Sequence, residues 1–142
     1  MIEYLLDTNI VIYTMHNRPP EIRQRFTRNY GLMAISTVTL MELYYGSENS
    51  QDPSGNRTDI EGFVARLELI EYDAPAAFHT GLLRKELHTQ GLPIGAYDCM
   101  IAGHARSRGL ILVTRNVSEF ARVPATPIPT PPDTPATKSR SR

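Results

Sequence analysis

Ile2-Glu3-Tyr4-Leu5-Leu6-Asp7-Thr8-Asn9-Ile10-Val11-Ile12-Tyr13-Thr14-Met15 decides how the rest of the chain is read. Two apolar runs flank Asp7-Thr8-Asn9. The first, residues 2–6, is short and strand-like. The second, residues 10–15, is rich in β-branched side chains, and its pattern fits either a strand or a buried helix. The polar triplet between them favours the helix, because Asp, Thr and Asn accept hydrogen bonds from the unpaired N–H groups of a helix start. A strand, a polar junction and a buried helix make the first half of a β–α–β unit.

Working outward, the alternation recurs. Pro19-Pro20 breaks the chain, and residues 21–28 read as a short helix with Ile22 and Phe26 on one face. Residues 32–35 form a second strand. Ser36 and Thr37 cap a helix that carries Leu40, Glu42, Leu43 and Tyr44. Residues 46–57 are polar and rich in Gly, Ser and Asn, and read as a surface loop. Ile60, Phe63, Val64 and Leu67 then show the spacing of an amphipathic helix. A third strand over 69–72, helices over 76–90 and 96–108, and a fourth strand over 110–113 follow, with Gly91 and Gly109 as helix stops. A last short helix includes Phe120. This order predicts an α/β fold with a central parallel sheet of four to five strands flanked by helices. Ligands of such sheets bind beyond the carboxyl ends of the strands.

The end of the chain differs. Pro124, Pro127, Pro129, Pro131, Pro132 and Pro135 follow one another, and no aromatic residue comes after Phe120. Such a segment buries little apolar surface, and proline cannot join a central strand. The expected organisation is a single domain over 1–123 and a disordered proline-rich tail over 124–142.

Composition narrows the function. Of 142 residues 41% are apolar, enough for a core, and 15 basic residues balance 15 acidic ones. A nucleic-acid partner would therefore have to be met by a local patch or through a metal, since no overall basic excess exists. Cys99 is the single cysteine, which rules out an internal disulfide and fits a reducing compartment. With no signal-peptide pattern and no apolar run of membrane-spanning length, a soluble cytoplasmic protein without membrane contact is expected.

Three carboxylates carry the chemistry. Asp7 follows the first strand, Glu42 lies within an otherwise apolar helix, and Asp98 sits in the first turn of a late helix. All three can converge on one end of a parallel sheet. Clustered carboxylates repel each other unless a cation neutralises them, and oxygen donors suit Mg²⁺ or Mn²⁺. Such an ion holds a phosphodiester oxygen, activates water and neutralises the leaving oxygen. Each acid also has an ordinary role open to it. Asp7 could be only a helix cap, Glu42 a solvent-facing helix residue, and Asp98 a complement to the helix dipole.

The local sequences around these acids resemble one family. Leu5-Leu6-Asp7-Thr8-Asn9 resembles the opening motif of PIN-domain ribonucleases, and residues 36–46, Ser-Thr-Val-Thr-Leu-Met-Glu-Leu-Tyr-Tyr-Gly, the helix bearing their glutamate. Residues 93–102, Pro-Ile-Gly-Ala-Tyr-Asp-Cys-Met-Ile-Ala, resemble the segment with the third acid, and residues 112–120 the last strand and its turn. The four motifs occur in order from Met1 to about Pro124, and match VapC toxins of the enteric type.

The resemblance implies a three-layer PIN-like fold and a Mg²⁺-dependent endoribonuclease, with Mn²⁺ a possible substitute. It also implies a VapB-like antitoxin partner, a homodimer, and a tRNA substrate cut in the anticodon loop of the initiator species. On this resemblance Asp7, Glu42 and Asp98 are metal ligands and catalytic residues. Asn116 stands where many members have a fourth acid, and Glu119 could supply that carboxylate; simple capping and first-turn charge remain open for both. Thr8 and Asn9 are assigned as supports for Asp7. The family's closing segment, of the form Gly-Leu-x-x-Glu-Asp-Trp, is absent.

The remaining residues of note admit other readings. His16, His79, His88 and His104 include no pair three or four apart, which argues against a helical zinc site, and His104 reads as a residue near the core or the site mouth. Cys99 reads as a small buried residue. Tyr44, Tyr45 and Tyr97 are candidates for stacking on RNA bases, with core packing equally open for Tyr44, and Arg18, Arg106, Arg108, Arg115 and Arg122 for phosphate contacts. An aspartyl-phosphate phosphatase would need a second Asp where Asn9 stands, and a placed lysine, although only Lys85 and Lys138 exist. A catalytically decayed toxin that only binds its antitoxin is the other alternative.

Overall fold

The computed structural model describes residues 1–17 and 20–114. The expected final helix, the tail, Asn116 and Glu119 lie outside these residues. Four strands, β1 (Tyr4–Leu6), β2 (Met33–Ser36), β3 (Glu68–Ile70) and β4 (Ile111–Val113), form one sheet in the order β3-β2-β1-β4. Every pairing is parallel, with Leu5 opposite Ala34 on one side and Leu112 on the other. The helices are α1 (Thr8–Asn17), α2 (Pro20–Arg28), α3 (Thr37–Glu48), α4 (Pro53–Val64), α5 (Ala74–Thr89) and α6 (Ala96–Arg108).

Strand side chains alternate between two cores, as the two-residue period of a strand requires. Leu5, Ala34, Ile70 and Leu112 face one cluster with Leu83 and Leu87 of α5 and Ile101, Ala102 and Ala105 of α6. Tyr4, Leu6, Met33, Ile35 and Ile111 face the other, with Ile10 and Val11 of α1, Leu43 of α3 and Ile60 of α4. The result is three layers with both sheet faces covered, which is why these strands read as short continuous apolar runs. No helix among the described residues is long and apolar enough to cross a membrane.

Local signals explain the boundaries. Ser36 caps α3 by accepting from the Val38 amide at 3.0 Å. Gly109 ends α6 in the left-handed conformation, φ +65°, and lets the chain turn into β4. The expected loop over 46–57 is a correction: α3 continues to Glu48, and α4 begins at Pro53. Asp52 accepts from the Gly55 amide and Pro53 occupies the first helical turn. These are helix-start signals that outweigh the polar composition. Leu67 falls after α4 instead of within it.

Candidate active site

Asp7 is the residue that β1 delivers to the carboxyl edge of the sheet. Its amide donates to the Val113 carbonyl at 3.0 Å, so the strand pairing with β4 extends to it. Its side chain is fully buried. Oδ1 accepts from the Ile10 amide at 2.8 Å, which caps α1, and Oδ2 accepts a hydrogen bond from the Thr114 hydroxyl. The ordinary capping role is therefore real, and it does not use up the carboxylate. A carboxylate offers about four acceptor positions, so two bonds leave lone pairs on both oxygens. Burial pushes the Asp7 carboxyl from an ordinary 3.8 up to about 6; the Thr114 and Ile10 bonds oppose this, and the Glu42 charge adds to it.

Glu42 projects from α3, half-buried, and its Oε1 accepts from the Thr8 hydroxyl at 2.6 Å. Thr8 Oγ1 also lies 3.1 Å from Thr39 Oγ1. Thr8 is thus a support of Glu42, not of Asp7 as the sequence motif implied; Asn9 is exposed. Asp98 sits half-buried in the first turn of α6, behind Gly95, which makes no side-chain cap. Because α6 ends just before β4 begins, its amino end points back toward the carboxyl edge of the sheet.

The structure brings Asp7 and Glu42 together. Among the described residues no group of three or more His, Cys, Asp and Glu side chains is gathered closely enough to hold a metal ion, so Asp98 is not drawn into one cluster with them. The pair itself suits a divalent cation. It offers hard oxygen donors, one of them in a buried carboxyl whose charge is disfavoured without a counter-ion. Mg²⁺ keeps several waters and commonly takes only one or two protein carboxylates beside substrate phosphate.

Other expectations resolve simply. Cys99 is buried, and burial raises its thiol pKa. His104 belongs to the core and not to the site mouth: it is fully buried, 2.9 Å from Ser36 Oγ and edge-on to Tyr72. Arg106 is paired with Glu86 at 3.0 Å, whereas Arg108 is exposed; Arg18, Arg115 and Arg122 lie outside the described residues. Tyr44 packs against the core, while Tyr45 and Tyr97 are exposed beside Glu42 and Asp98. Sequence reasoning missed Thr39 and Thr114. Thr114 was recoverable from register alone, since Leu6 pairs with Val113 and the next residues are Asp7 and Thr114.

The profile described as PIN domain matches residues 4–125. This chain belongs to the PIN-domain family. Among PIN proteins it is 58% identical to the tRNA(fMet)-specific endonuclease VapC of Shigella flexneri, over 87% of this chain and 93% of that protein. It is 50% identical to ribonuclease VapC2 of Haemophilus influenzae over the same shares. The fold agrees with that of DNA-bound VapBC from Salmonella typhimurium at a TM-score of 0.89 and 52% identity, covering 90% of this chain and 97% of that one. VapBC-1 of nontypeable Haemophilus influenzae gives 0.82 at 36% identity, covering 90% and 96%. The chain is thus a PIN domain of the VapC branch, and PIN nucleases depend on a divalent metal.

Proposed function

We propose that this PIN domain is the toxin of a VapBC-type toxin–antitoxin pair, a Mg²⁺-dependent endoribonuclease that cuts initiator tRNA in the cytoplasm. The observation that carries the reading is the 58% identity to a tRNA(fMet)-specific endonuclease across nearly the whole domain, and the Asp7–Glu42 pair of oxygen donors supports it. A VapB-like antitoxin is the partner, in keeping with neighbours crystallised as VapBC.

Asp7 and Glu42 would hold the cation, with Asp98 completing the acidic rim and Asn116 or Glu119 the fourth position. The cation, when bound, supplies charge neutralisation at the phosphate and activation of water. The chain's own residues do the rest. The Ile10 amide and Thr114 hydroxyl fix the Asp7 carboxylate in place, and the Thr8 hydroxyl aims Glu42. Tyr45 and Tyr97 offer exposed aromatic faces on which unpaired bases can stack.

The test is cleavage of purified initiator tRNA with Mg²⁺ and with EDTA, for the wild type and for Asp7→Ala, Glu42→Ala and Asp98→Ala. The wild type should cut only with metal. Each variant should lose most activity, with non-additive effects in combination, since the acids act as one unit. Equal rates for wild type and Asp7→Ala would overturn the mechanism. Antitoxin binding without any cleavage would favour the non-catalytic alternative.

A further inference from the structure

Two hydroxyls stand in line behind Glu42. Thr8 Oγ1 is 2.6 Å from Glu42 Oε1 and 3.1 Å from Thr39 Oγ1. A threonine hydroxyl has one proton, and an ionised carboxylate only accepts. The Thr8 proton therefore goes to Glu42, and the proton between the two threonines must come from Thr39. Thr39 is fully buried and Thr8 nearly so, which removes water as a competitor.

The path of this chain is unusual for a helical threonine. Thr14, Thr58 and Thr80 donate to the carbonyl four residues back in their own helices, the common local bond. Thr39 instead reaches from α3 to the first residue of α1, and Thr8 returns the interaction to α3 one turn later at Glu42. The loop ties the Glu42 carboxylate to the helix that begins immediately after Asp7. Bonds in such a series polarise one another, so the outer hydroxyl strengthens the inner one.

We propose that Thr39 is a positioning residue of the cation site, acting through Thr8 to aim Glu42 beside Asp7. The proposal rests on the reading of Asp7 and Glu42 as the cation-holding pair.

The experiment compares Thr39→Val, Thr39→Ser, Thr8→Val and the double Thr8→Val/Thr39→Val with wild type. Mn²⁺ affinity is measured by calorimetry without RNA, and kcat and KM are measured on tRNA. Thr39→Val should weaken Mn²⁺ binding and lower kcat roughly 10–100-fold, the size typical of residues behind a metal ligand, with KM and melting temperature held. Thr39→Ser should recover both quantities, because it keeps the proton. The double variant should be no worse than Thr8→Val alone, since Thr39 acts only through Thr8. Wild-type Mn²⁺ affinity in Thr39→Val, or a further loss in the double variant, would overturn the proposal. A wild type that binds no Mn²⁺ overturns both this and the cation-site reading. Mn²⁺ binding that depends on Thr39, in a protein that cuts no tRNA, supports the hydroxyl relay and overturns the tRNA-cleavage reading alone.

Discussion

The Thr114 hydroxyl donates a hydrogen bond to Asp7 Oδ2, joining residues 107 positions apart at the ends of neighbouring strands. Both groups are buried, so no solvent molecule replaces the bond if it is lost. Thr114→Val is expected to lower tRNA cleavage by roughly 10–100-fold, while Thr114→Ser, which keeps the donor, retains most of it. Single-turnover rates at saturating Mg²⁺ check this. Full activity in the valine variant would show that Asp7 needs no such support.

Asp7 makes the metal-free protein lose stability as pH rises from about 4 to about 6. Its folded carboxyl titrates near 6 against an ordinary 3.8, so the native state binds the proton more tightly than the unfolded chain. Stability is then fully present below the unfolded value and is lost as pH rises through the folded one. Asp7→Asn cannot ionise, and in EDTA near pH 8 it should exceed wild type by on the order of 2–3 kcal/mol. Mg²⁺ should raise the wild-type melting temperature and affect the variant less. Denaturant titrations with and without metal measure both effects.

His104 should act in the opposite direction. Burial lowers its pKa from 6.5, the nearby Asp73 raises it and Arg108 lowers it further. A buried neutral imidazole resists a proton that the unfolded chain accepts, so its contribution is present above 6.5 and is lost as pH falls below it. The Asp7→Asn background removes the opposing carboxyl. In that background the denaturation midpoint should fall between about pH 7 and pH 5, and adding His104→Gln should flatten the fall. An unchanged slope would rule His104 out as the acid-sensitive group.

At Gly103, α6 lies close against α5. A Cβ there would lie 2.7 Å from Thr80 Cα and 2.8 Å from Thr80 N. These are backbone atoms that no rotamer change can move, so the helices would have to separate. Gly103→Ala is expected to destabilise the fold by about 1–3 kcal/mol, read as a lower denaturant midpoint. A neutral substitution would mean that the two helices slide apart freely.

Much of this architecture could be read from the chain because its punctuation is local. Residues 96–108 were expected to be helical and α6 spans them, since the left-handed Gly109 that stops the helix is visible in the sequence. The alternation of apolar runs and helices likewise gave the parallel sheet. Composition failed between 46 and 57, where Gly, Ser and Asn suggested a loop although Asp52 and Pro53 start a helix there. The site divided in the same way. Asp7 and Glu42 stood out as acids in apolar surroundings. The choice of the Thr8 hydroxyl between two carboxylates depends on how α1 lies against α3, and no local pattern records that. The convergence of Asp98 with the pair was an expectation that the geometry of the described residues does not supply.

Among the described strands, β1 has partners on both sides, and the amide of Asp7 continues the pairing with β4. Amides in such a strand exchange with solvent only when the whole domain opens. Local breathing of helix ends or surface loops leaves Asp7 where it is. Its carboxylate is thus held at the end of a strand expected to be among the last of the described elements to open. Mild denaturant would be met by a protein whose outer parts loosen first, with this carboxylate held in place until the final cooperative step.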